Sequence, residues 1–186
     1  MPRRYYRSRT RVIRPKKKWA SNIKTVRIES SSSSSAVTVA TLVQNSTSTS
    51  SPTPVIVKAG NFKVSVDVVC AFPVSTATIA QPTVFCYIIF IPEGVSVDND
   101  TSVSNVVAAH PEWVLAWKQI DLDYVTSSTA YTGSKAVSFS SRLKRNLNSG
   151  DRIIIGFVRD VAVPSGTANT GVFGVVGQVQ FWTCAN

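Results

Sequence analysis

Alternation with a period of two is the clearest pattern in this chain. Phe62, Val64, Val66 and Val68 fall on one phase, and Lys63, Ser65 and Asp67 on the other. A strand with one face in a core and one outside has this pattern. It returns near the end: Phe173, Val175, Gly177, Val179 and Phe181 take the inward phase, with Gln178, Gln180 and Trp182 opposite. Residues 84–91 (VFCYIIFI) are apolar without alternation, as in a strand covered on both faces. Collecting the segments rich in Val, Ile and Thr and bounded by Ser, Thr, Pro, Gly or Asn predicts about eight strands. They run near 23–30, 36–44, 61–71, 83–91, 112–122, 135–143, 151–159 and 172–183. Ile153, Ile155 and Phe157 hold the inward phase of the seventh. Trp113 and Trp117, four apart in the fifth, are expected to share a face and enter the core. Helical periodicity is confined to a turn around 103–109.

Short strands with turn signals and no repeat period predict an all-β protein, specifically an eight-stranded antiparallel jelly-roll β-sandwich with a disordered basic N-terminal arm. That topology places the first, eighth, third and sixth strands in one sheet and the second, seventh, fourth and fifth in the other. Low complexity is limited to the inter-strand stretches 30–35 and 45–53.

Charge adds what the periodicity does not show. The net charge is +10, but residues 1–27 hold eleven Lys and Arg and no acid, leaving nine bases against all 10 acids in the rest. The body is thus near neutral and the arm carries the excess. Such a segment cannot bury enough apolar surface to offset its ordering entropy, so residues 1–22 are expected to be a disordered arm and 23–186 the folded domain. The basic stretch is followed by no apolar stretch of signal-peptide type, and no run reaches the roughly 18 apolar residues of a membrane span. The arm is the candidate nucleic-acid-binding element. Arg3, Arg4, Arg7, Arg9, Arg11 and Arg14 can pair bidentately with phosphate, and Lys16, Lys17 and Lys18 act as point charges. Tyr5, Tyr6 and Trp19 are interleaved to stack on bases. Residues 14–18 (RPKKK) also resemble a nuclear-import signal, which would add a host import receptor as partner.

Other candidate chemistry is thin, and no catalytic site, cofactor or metal is expected. Cys70, Cys86 and Cys184 have no ligand spacing and read as buried thiols. His110 is the only histidine, so neither a His-based triad nor a multi-histidine metal site can be assembled. Asp121 and Asp123 are expected on one strand face, where they mimic a metal-binding DxD. Asp98-Asn99-Asp100 offers oxygens to Ca²⁺ but lacks the remaining ligands. Glycines 171, 174 and 177 stand among strand formers with no helix after them, unlike a phosphate loop. Asn45-Ser46-Thr47 and Asn99-Asp100-Thr101 match the glycosylation sequon.

Met1-Pro2-Arg3-Arg4-Tyr5-Tyr6-Arg7-Ser8-Arg9 resembles the start of coat proteins of circovirus-like circular single-stranded DNA viruses. The segment Arg145-Asn146-Leu147-Asn148-Ser149-Gly150-Asp151-Arg152-Ile153 is similar to a stretch that recurs in their shell domains. The resemblance implies self-assembly into a small (T=1) icosahedral virion shell, a genome of single-stranded DNA packaged by the arm, and a nuclear stage during assembly. The alternative is a cellular nucleic-acid-binding protein with a basic tail on a β-domain. Against it, the body shows no basic and aromatic binding face in the sequence.

Overall fold

A computed structural model describes residues 18–31, 37–46, 55–73, 83–126, 130–160 and 172–185. Nine strands lie among the described residues: β1 (Ala20–Ser31), β2 (Val39–Gln44), β3 (Val57–Pro73), β4 (Thr83–Ile91), β5 (Val114–Asp121), β6 (Asp123–Thr126), β7 (Ala130–Leu147), β8 (Arg152–Asp160) and β9 (Val172–Ala185). Between β4 and β5 come a helix, α1 (Asp100–Ala109), and a 3₁₀ turn (Pro111–Trp113). The strands form a five-stranded sheet in the order β1-β9-β3-β7-β6 and a four-stranded sheet in the order β2-β8-β4-β5. Every pairing is antiparallel. The protein is an all-β sandwich.

The core lies between the sheets and follows the expected phases. Phe62, Val64, Val66 and Val68 of β3, Ile153, Ile155 and Phe157 of β8, and Val179 and Phe181 of β9 are all buried in one cluster. Lys63, Ser65 and Asp67 are exposed. Two ring pairs cross the cluster, Phe62 with Phe181 at 6.0 Å and Phe157 with Phe173 at 6.1 Å between centroids. In β9 a Cβ on Gly177 would strike the backbone of Ser65 and Val66, so glycine there serves strand packing.

Helix α1 is the largest departure from the expected elements. It spans ten residues, not one turn. Val103, Val106 and Val107 recur at helical spacing and pack on Ile89, Ile91 and Ile154, on the far side of the four-stranded sheet from the main core. This covers the second face of β4 at its C-terminal half, which is why residues 88–91 are uniformly buried while 83–87 still alternate. Asn99 caps the helix by accepting the amide of Ser102, and Ser102 Oγ accepts the amide of Asn99 in return. Arg159 of β8 holds Asp100 of the first turn at 2.7 Å.

Other expectations need correction. Trp113 closes the 3₁₀ turn rather than lying in a strand, and Trp117 on β5 is 60% exposed. A bulge intervenes, where β4 shifts register against β5 between Ile88 and Ile89. Asp121 and Asp123 do not share a strand face, because the chain crosses from one sheet to the other between them, at the buried Leu122. Part of the stretch expected as a loop after residue 122 is β6, paired with β7. Strand β1 begins at Ala20, so residues 20–22 join the sheet rather than the arm, Ala20 facing Thr183 and Asn22 facing Phe181.

The 145–153 segment forms a hydrogen-bonded corner. Leu147 enters the core, and Gly150 adopts φ 81°, a conformation that favours glycine. The buried Asp151 accepts the amides of Glu93 at 3.1 Å and Asn148 at 2.8 Å. Asn45, also buried, donates to the carbonyls of Val55 and Leu147 at 2.7 and 3.0 Å. A glycan on Asn45 would break this corner, and Asn99 of the second sequon is occupied as a helix cap.

Candidate nucleic-acid interface

The arm meets the folded body at the outer edge of the five-stranded sheet. Of the residues expected to bind nucleic acid, Arg3, Arg4, Tyr5, Tyr6, Arg7, Arg9, Arg11, Arg14, Lys16 and Lys17 lie outside the described residues. Lys18 and Trp19 are described. Lys18 is exposed. Trp19, 36% exposed, has the amine of Lys144 5.1 Å from its ring centroid, a cation–π contact between the arm's root and β7.

Gly60 of β3 shapes this contact. It pairs with Lys144 on one side and Trp182 on the other. A Cβ on Gly60 would overlap the side chain and backbone of Lys144, so the missing side chain is what lets Lys144 lie close over β3. Directly after it, β3 bulges. The register slips between Gly60 and Phe62 against β7 and between Gly60 and Lys63 against β9. Asn61 takes up the slip at φ 55°, a left-handed conformation that asparagine tolerates better than other side-chain-bearing residues.

The bulge opens a groove of about 360 Å³ on the outer face. Asn61, Lys63, Ser140, Arg142 and Trp182 line it, and the Lys63 amine stands 5.5 Å from the Trp182 ring centroid. Lys58, Lys63, Arg142 and Lys144 thus sit on neighbouring strands beside Trp19 and Trp182. No carboxylate occurs in residues 18–25, 58–65, 138–147 or 178–184 of these strands. Acids return only farther along, where Glu29 pairs with Arg27 at 2.7 Å and Asp67 stands on β3. The upper half of this face is therefore positive and aromatic, and the lower half is mixed.

The fold thus brings cations and indoles of the body together on one face, a juxtaposition not apparent along the sequence. The signal was present in single positions: Lys63 and Trp182 both hold the outward phase of their strands. What the sequence did not reveal is the bulge in β3, which sets the register against β9 and brings residues 63 and 182 together.

The remaining candidates are occupied by structural contacts. His110 ends α1 with its ring stacked on Trp113 at 3.9 Å and its Nδ1 3.2 Å from Glu112. Asp98 accepts the hydroxyl of Ser102, and Asp121 and Asp123 engage Gln119 and Lys135. Among the described residues no group of three or more His, Cys, Asp or Glu is placed to hold a metal ion. Cys70, Cys86 and Cys184 are buried. Burial pushes the Cys70 thiol up to about 12, despite the opposing charge of Arg159, and raises Cys86 further. Among the described residues no helix is long and apolar enough to cross a membrane.

Comparison with the models of known protein families gives no match to this chain, and no curated protein matches it either.

Proposed function

We propose that this chain is a viral coat protein whose sandwich builds a small icosahedral shell and whose arm packages single-stranded nucleic acid, with DNA favoured by the resemblance of its first nine residues. The observation that carries the reading is the partition of charge. Eleven cations and no anion precede Ile28, and the body behind them is close to neutral. A tethered polycation on a neutral subunit concentrates charge on one side of an assembly without making the subunits repel one another strongly. The strand orders support it, since β1-β9-β3-β7 facing β2-β8-β4-β5 is the pairing expected of a jelly roll, with β6 added at one edge. Import through residues 14–18 into a host nucleus is compatible with this role. The reading needs no cofactor and no chemical step.

A cellular nucleic-acid-binding protein is the second reading, and the cations and tryptophans on the body favour it more than the sequence did. The two differ in assembly. Size-exclusion chromatography with negative-stain microscopy is expected to show uniform megadalton particles. Monomers or small oligomers across a range of salt and protein concentrations would refute the coat-protein reading.

A further inference from the structure

We propose that the outer face of the five-stranded sheet is itself a binding site for single-stranded nucleic acid, centred on the groove at the β3 bulge. The inference rests on the packaging role proposed above and adds the residues through which the body takes part.

Four observations converge on the groove. An aromatic residue, Trp182, lines it, partly exposed on a strand paired on both sides. Two cations, Lys63 and Arg142, share the opening, and Ser140 supplies a hydroxyl. No carboxylate on the surrounding strand segments competes for them. The backbone is distorted at that point into a bulge with a positive φ at Asn61, and bulges commonly re-aim side chains beside functional sites. A nucleotide fits this chemistry: its base can stack against the indole while its phosphate pairs with the Arg142 guanidinium and the Lys63 amine. Trp19 and Lys144 repeat the combination of ring and cation nearer the arm. Two aromatic stops flanked by amines suit a flexible single strand with splayed bases, whereas a duplex keeps its bases stacked on one another. An anionic peptide would use the cations but would gain nothing from the indoles.

Three measurements on the full-length protein test this. First, an oligothymidylate carrying 5-iododeoxyuridine is photocross-linked, and the adducts are mapped by mass spectrometry. Adducts at Trp182 are expected; adducts confined to residues 1–19 would overturn the inference. Second, Lys63→Gln with Arg142→Gln leaves every arm residue in place. It is expected to make the salt dependence of oligonucleotide binding shallower by about 0.7 in log K against log salt, the contribution of the one phosphate that is no longer neutralised. Third, Trp182→Leu should weaken binding of an oligothymidylate about tenfold while leaving an abasic strand of equal length unaffected. Equal weakening for both strands would mean that the variant has disturbed the sheet or the charges and that no base stacks there. If the wild type binds with an unchanged slope in the double variant and no adduct reaches the face, this inference fails and the arm's role stands. If the wild type binds no single strand at all, both fall.

Discussion

At the scale of single residues, the side chains that decide stability are those whose strand phase is unbroken. Phe157 is fully enclosed between the sheets beside Phe173. Phe157→Ala is expected to cost about 3–5 kcal/mol, read as a lower denaturant midpoint at unchanged m value. Asp151 does a different job. Its carboxylate accepts two backbone amides at a buried corner, so Asp151→Ala strands both and is expected to cost about 1–3 kcal/mol by the same measurement. Cys70 sets a pH limit. Its thiol titrates near 9 when unfolded and near 12 when buried, so folding favours the protonated form. The contribution is fully present below pH 9 and declines as pH rises from about 9 to about 12. Thermal midpoints across that window should fall more steeply for the wild type than for Cys70→Ala. Phe157 was legible in the sequence because an alternating strand announces which side faces in. Asp151 was legible only as part of a turn motif, since its partner Glu93 lies 58 residues away and joins it through β4.

At the scale of elements, strands were easier to read than their interruptions. Residues 62–68 and 173–181 keep a strict period, and their burial follows it. Trp117 was misplaced because the 3₁₀ turn and the β4–β5 bulge both reset the phase before it. Helix α1 was read as one turn because only three valines mark its apolar face. Its stability comes from a cap and an ion pair whose second partner is 59 residues distant. That dependence is testable. The side chains of Arg159 and Asp100 are only 8% and 14% exposed. Removing Arg159 takes its cationic partner from the buried Asp100 carboxylate and should cost about 3–5 kcal/mol. The double replacement Asp100→Ala with Arg159→Leu should recover part of that loss, and a double-mutant cycle that is additive would refute the coupling. The groove at the β3 bulge was illegible for the same reason as the helix. A bulge with an asparagine at positive φ leaves no periodic trace, and the register it gives β3 against β9 cannot be read from strand order.

At the scale of the whole molecule, the arm and the sandwich should be separable by deletion. Removing residues 1–18 takes away nine cations and changes the net charge from +10 to about +1. It leaves Trp19 on Lys144 and every core strand intact. The shortened protein is expected to keep a β-rich circular dichroism spectrum and to lose most of its affinity for single-stranded DNA, together with most of the salt dependence. Retention of wild-type affinity and slope would remove the arm from the packaging mechanism. The charge partition behind this prediction was readable from the first 27 residues alone. The cations and tryptophans gathered around the β3 bulge were not.

The pairing of β1 with β9 also orders events in time. Among the described strands β1 has β9 as its sheet neighbour, and β9 alone joins it to β3. At about 5–20 residues per second, synthesis of residues 32–171 between them takes on the order of seven to thirty seconds. For most of that interval the five-stranded sheet cannot close, while the polycation ahead of β1 is already in solution. Contacts between segments so far apart in sequence are also slow to form. Nascent chains stalled before residue 172 should therefore retain nucleic acid while β1 is still open to protease, and translation would hand the arm its cargo before the subunit acquires a shape.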